Sequence, residues 1–235
     1  MPILAIDTAT MVSSAAVATH DRLLSEVTMQ LKKPQSEVLM DHIIDALTIA
    51  QTGKNDLTAI AVNIGPGSFT GLRIGMAAAK MMAYALKIPI VGIDAGTILA
   101  YHFPVENVYS AVFIDAQKEN VYFAVYNWQN RQLVTVKPMT VMKLEAALEI
   151  CRKMDYPVIA LGDIAQKKQS LFAERANIHL PPPYLIMPRA ANVAFAGLAK
   201  LDRNLPDNIM TMEPLYIRRS EAEVLWEKRQ KDCNK

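Results

Sequence analysis

The chain has 235 residues, 51% hydrophobic and 20% charged, with 25 Lys and Arg against 23 Asp and Glu for a formal net charge of +2. That much apolar content builds the core of one large domain or two small ones and excludes a disordered chain. The near-neutral balance argues against a dedicated nucleic-acid binder. The two cysteines, Cys151 and Cys233, lie too far apart for a disulfide scaffold or a zinc ribbon and fit a reducing cytosol.

In chain order, residues 3–7, 13–19 and 23–29 read as three short strands separated by turn residues. No basic run precedes the first apolar stretch and Asp7 interrupts it, so it does not read as a signal peptide. Ser36 caps a helix to about Gln51, with Met40, Ile43, Ile44, Leu47 and Ala50 at helical spacing. Residues 59–64 form a fourth strand. Gly65-Pro66-Gly67-Ser68 then turns into a second helix that runs to about Leu86, with Ser68 as its N-cap. A fifth strand over 90–94 and a short helix over 95–102 follow. The apolar stretch from Ile74 to Ile93 is long enough to test as a membrane span. Lys80, Lys87 and Pro89 interrupt it, and a Lys near the middle of a span costs about 3 kcal/mol, so it reads as buried helix, turn and strand.

The chain changes character near residues 104–107. Residues 109–115, 121–128 and 132–137 form a three-strand meander, with the turn Asn127-Trp128-Gln129-Asn130 joining the last two. A helix over 141–154, a strand over 158–162 and helices over 164–175 and 190–202 follow. Pro181-Pro182-Pro183 is a stiff connector. The order strand, strand, strand, helix, strand, helix, strand begins again in degraded form after the break. It points to an α/β chain of two related halves with mixed sheets, residues 1–103 and 104–235.

Two segments carry residues suited to chemistry. Asp7, Thr8 and Thr10 end the first strand, where an aspartate and hydroxyls can approach a phosphate or metal; the same residues also serve an ordinary turn. Gly65, Gly67 and Ser68 lie between strand and helix, where amides and the helix dipole can hold an anion. The loop is neither a Walker A motif nor a dinucleotide fingerprint. Gly71, Gly75 and Ala79 recur every four residues on one helix face, a spacing for close packing, and Arg73 is expected to find a partner rather than lie buried alone. The histidines, His20, His42, His102 and His179, form no helical metal pair, and His42 reads as a solvated or interface residue. The first helix is amphipathic and the second is apolar over much of its circumference (Met76, Met81, Met82, Tyr84, Leu86); core packing explains most of this, and any excess over one face would mark a partner surface. Thirteen methionines add to the second reading, since Met suits adaptable surfaces. The tail from Glu213 mixes six Lys or Arg with five Asp or Glu, the pattern of a solvated helix that Trp226 could anchor.

The segment from Gly65 to Gly75, GPGSFTGLRIG, resembles the signature of the TsaB family, also called YeaZ. Residues Ile3 to Thr10 resemble that family's opening strand and turn. Asp115 to Tyr122 resembles its Asp-Ala-Arg-x-x-Glu-Val-Tyr motif, with Gln117 for the arginine, and Pro214 to Arg218 its closing Pro-x-Tyr-Leu-Arg. Gln35-Ser36-Glu37 stands where the family often has His-Ser-Glu.

The resemblance implies an actin-like/Hsp70-like ATPase (ribonuclease H-like) fold. It also implies the role of a cytoplasmic dimerisation subunit in making threonylcarbamoyladenosine at position 37 of tRNA. Such a subunit pairs with the catalytic paralogue TsaD, works with the ATPase TsaE, forms a homodimer when alone, and meets tRNA only through the complex. The paralogue's metal pair on the helix after the fifth strand has no counterpart here, since residues 92–100 hold no histidine. The expected partner interface is Met40, Ile43, Ile44, Leu47, Leu72, Gly75, Met76 and Ala79. No catalytic or metal residue and no required cofactor are expected, although a nucleotide at a subunit boundary would lie nearest Asp7 to Thr10 and Gly65 to Ser68. The competing expectation is a glycoprotease-like peptidase or an ATPase of the same fold acting on its own.

Overall fold

The computed structural model describes residues 1–30 and 37–217. Ser36, Trp226, Cys233 and the basic residues Arg218, Arg219, Lys228, Arg229 and Lys231 lie outside them. Among the described residues, ten strands form two sheets of five. The first has the order β3-β2-β1-β4-β5, built from β1 (Ile3–Asp7), β2 (Val12–Ala18), β3 (Leu23–Gln30), β4 (Ala59–Gly65) and β5 (Ile90–Asp94). The second has the order β10-β9-β6-β7-β8, built from β6 (Tyr109–Asp115), β7 (Asn120–Gln129), β8 (Gln132–Lys143), β9 (Val158–Leu161) and β10 (Ile178–His179). In each, three antiparallel strands precede two parallel ones, and the first strand sits at the centre. The two sheets are one topology written twice.

Every residue of β1 and β2 is buried, so the first sheet is covered on both faces, and alternation assigns the side chains. Leu4, Ile6, Ala15, Val17, Ile60 and Val62 face α1 (Leu39–Ile49) and α2 (Phe69–Leu86). Ile3, Ala5, Ala16, Ala59, Ala61 and Val91 face the other way, onto α3 (Ala95–Ala100) and α7 (Ala190–Asp202). The second sheet packs Phe113, Phe123 and Val125 under α4 (Leu144–Arg152), α5 (Asp163–Lys167) and α6 (Gln169–Ala173), with Phe172 edge-on to Phe113 at 4.9 Å. Its opposite face, with Val112, Ala124, Tyr126 and Leu161, meets Leu99 and Ala100 of α3. Helix α3 is therefore the wedge between the halves. Asp94, its N-cap, accepts hydrogen bonds from Thr97 N and from the Tyr126 hydroxyl of β7. Trp128 Nε1 donates to Ala100 O at 3.1 Å.

Helix α7 crosses the expected boundary, because it follows the second sheet in sequence yet covers the first. Its alanines permit this: a Cβ on Gly197 would collide with Ala61 of β4. Its first amides are capped from the sheet, Ala190 N on Ser14 Oγ (3.1 Å) and Ala191 N on Glu26 Oε1 (3.0 Å), while Glu26 also pairs with Arg189. A strap over 203–217 then runs along the exposed edge of β5. Asp207 N donates to Ile90 O, Gly92 N donates to Asp207 Oδ2, and Leu215 N donates to Ile64 O. Backbone pairing of this kind closes an open sheet edge.

Local expectations fail where tertiary pairing prevails. Residues 141–143, expected in a helix, stay in β8 because Val141, Met142 and Lys143 pair with Tyr122, Val121 and Asn120. The helix expected over 164–175 is two, broken at Lys168 (φ −122°, ψ 41°). The β7–β8 turn is Asn130-Arg131, both left-handed, so Trp128 lies in the strand.

Candidate functional site

The structure brings the two expected anion-binding loops together and joins them to each other. Asp7 is buried at the end of β1. Its Oδ1 accepts from Ala9 N and its Oδ2 from Asn63 Nδ2, both at 2.9 Å, and Asn63 Oδ1 accepts from Gly65 N at 2.8 Å. Burial pushes the Asp7 carboxyl up to about 6, against the opposing pull of those two donors. Thr8 Oγ1 donates to Gly71 O at 2.7 Å, and Ser68 N donates to Ala9 O at 2.7 Å. Ser68 Oγ accepts from Gly71 N, which makes Ser68 the N-cap of α2 as expected. Gly67 must be glycine because a Cβ would strike the Ala9 carbonyl, and Gly75 because a Cβ would strike Thr8 Oγ1. Thr10, less buried, takes Val12 N on its hydroxyl.

The amides of Ala9, Gly65, Ser68 and Gly71 thus already have acceptors, that of Ala9 being the buried Asp7 carboxyl. This arrangement fastens α2 to β1 and leaves those four amides no free donor for a phosphate. Asn63, which bridges the loops, is the residue sequence reasoning missed; its signal was an amide inside the apolar strand Ala59–Gly65.

Two further clusters bear on catalysis. Ser13 Oγ lies 3.1 Å from His42 Nδ1, a nucleophile–base pairing in form. Both residues are buried beneath α1, so no substrate reaches them, and His42 is a core residue rather than a solvated one. In the second half, a cavity of about 260 Å³ lies beside the Asp115 loop. Gln117, Lys118 and Glu119 there are three successive left-handed residues, Gln117 N donates to Asp115 Oδ1, and Lys167 bridges Asp115 and Asp163. Among the described residues no group of three His, Cys, Asp or Glu is placed to hold a metal ion.

The expected interface residues divide sharply. Ile43, Leu72, Gly75, Met76 and Ala79 are buried inside the chain itself, on the inner faces of α1 and α2. Met40 (46% exposed) and Ile44 (55%) point outward, and Leu47 is half-buried. The structure adds Met81 (65%) and Tyr84 (72%), exposed on the outer side of α2. The outer side of α1 also borders a groove of about 420 Å³ lined by Ile44, Leu47, Thr48 and Gln51 to Lys54. At the start of α2, Arg73 stacks over Phe69 (3.9 Å) and donates to the Tyr216 hydroxyl (3.1 Å), so the strap ends at the rim of this face.

The family model described as "TsaD: tRNA N6-adenosine threonylcarbamoyltransferase" matches residues 22–226. The tRNA threonylcarbamoyladenosine biosynthesis protein TsaB of Bacillus subtilis is 33% identical over 98% of this chain and all of the relative. The Escherichia coli protein of the same name is 26% identical over 97% of this chain and 98% of its own. The solved structure of YeaZ from Pseudomonas aeruginosa superposes with a TM-score of 0.73 at 21% identity, covering 92% of this chain and 99% of that one. Component A of the Acidaminococcus fermentans (R)-2-hydroxyglutaryl-CoA dehydratase shares the fold at a TM-score of 0.52 and 10% identity. The duplicated β-meander with its parallel extension is thus the actin-like ATPase class of fold. Within that class, the chain belongs to the TsaB family of tRNA threonylcarbamoyladenosine biosynthesis proteins.

Proposed function

We propose that this chain is a non-catalytic scaffold subunit of the complex that makes N6-threonylcarbamoyladenosine on tRNA, and that it pairs through the outer face of α1 and α2 with a TsaD-type paralogue. The observation that carries this reading is an apolar face, Met40, Ile44, Met81 and Tyr84, left open on a half whose loops satisfy each other. Exposed apolar side chains on both helices that cover one sheet face support a partner site there. The match of the TsaD model to most of the chain supports a partner of the same fold, whose equivalent helices would pack on these in a near-symmetric pair. A second copy would use the same face, so homodimer and heterodimer would compete. Under this reading the chain holds no required cofactor, TsaE and tRNA are met through the complex, and the work is done in the cytoplasm. Among the described residues no helix is long and apolar enough to cross a membrane.

The test is to mix the chain with its paralogue and measure complex mass and tRNA modification. Carrying both Met40→Asp and Ile44→Asp, the chain should fold normally yet lose at least 100-fold in pairing, and modification should fall with it. Unchanged pairing would remove α1 from the interface. ATP turnover by the chain alone, lost on Asp7→Ala, would instead revive the ATPase reading.

A further inference from the structure

Two of the apolar side chains on the open face are thioethers, and four more methionines, Met1, Met11, Met29 and Met210, are also exposed. Of thirteen methionines, Met40 and Met81 are exposed on the outer sides of α1 and α2, while Met76, on the inner side of α2, is buried. Met29 pairs in register with Ser13, whose hydroxyl meets His42 of α1, so Met29 shares the α1 face. Met11 precedes Val12, the partner of Gln30, and both Met11 and Met29 are exposed.

A thioether packs as well as leucine but is a soft nucleophile that leucine is not. Peroxide oxidises it in one balanced step. The sulfur gives two electrons, one peroxide oxygen becomes the sulfoxide oxygen, and the other leaves as water. The product is a polar acceptor, and an acceptor buried at an apolar interface without a donor is costly.

We propose that Met40 and Met81 are oxidation sites through which peroxide controls pairing by the α1–α2 face. The proposal rests on the pairing reading above. In the free chain both sulfurs are open to solvent. In the pair they are covered, so oxidation and assembly exclude each other. Met76 is shielded in either state, which separates loss of the interface from loss of the fold.

The experiment treats the purified chain with dilute hydrogen peroxide, maps sulfoxides by peptide mass spectrometry, and titrates the chain against its paralogue. Sulfoxide should form at Met40 and Met81 before Met76, and affinity should fall at least tenfold with the melting transition unchanged. Methionine sulfoxide reductases should restore it. Measured against its own untreated affinity, the Met40→Leu/Met81→Leu double variant should lose nothing to peroxide, whereas Met11→Leu/Met29→Leu should still lose at least tenfold. Oxidation of both residues without loss of affinity overturns the proposal, as does equal loss in the Met40→Leu/Met81→Leu variant. An untreated chain that does not pair overturns the reading beneath it, and the proposal with it.

Discussion

The glycine-rich loop pair and the outer face of α1 and α2 belong to the same half of the molecule and differ in what they leave unsatisfied. In the loops, Asp7, Asn63, Thr8 and Ser68 resemble ligand-binding groups, and each is hydrogen-bonded to a neighbouring segment. On the helices the residues are chemically plain, and the surface has no covering within the described chain. The contrast teaches that a motif can persist for the joint it makes. The open apolar surface sits on side chains with no motif of their own.

The sharpest test sets the two sides of the helices against each other. Met76→Asp puts a carboxylate where the fold offers no water and should cost about 4 kcal/mol in urea unfolding. Ile44→Asp, on the open side, should shift stability by less than about 0.5 kcal/mol and register in pairing alone. Equal destabilisation by both would erase the distinction between inner and outer faces.

The next test addresses the loops through pH. Asp7 has its folded-state value raised from 3.8 to about 6, so the fold favours the protonated carboxyl. The stability this contributes is fully present below pH 3.8 and is lost as pH rises through about 6. Relative to Asp7→Asn, which does not titrate, wild type should therefore lose about 2 kcal/mol between pH 4 and pH 7. Parallel pH profiles would mean that Asp7 is not held in a dry site. Gly75→Ala should cost about 2 kcal/mol by forcing Thr8 off Gly71, without altering the open face. The smallest effect belongs to the strap: Tyr216→Ala should cost about 1 kcal/mol, seen as faster hydrogen exchange at Leu215.

Much of this was legible beforehand. The succession of strands and helices along the chain, its degraded repetition, the Ser68 cap and the close packing behind Gly75 follow from local pattern and turn chemistry. What stayed hidden depended on distant neighbours. Ile43 and Ile44 are adjacent and equally apolar, and only the position of the sheet makes one core and the other surface. Asn63 became important because β4 lies beside β1. The helical pattern near Val141 lost to pairing with β7, and nothing local in residues 190–202 says which sheet they will cover.

That last point reaches into how the protein is made. The ribosome releases β1 to β5 early, with Ile3, Ala5, Ala61 and Val91 on a face that α7 will cover only after the whole second sheet has been synthesised. The first half therefore waits on the ribosome with an unfinished apolar face. A chain cut short before residue 190 should aggregate rather than fold as a stable half.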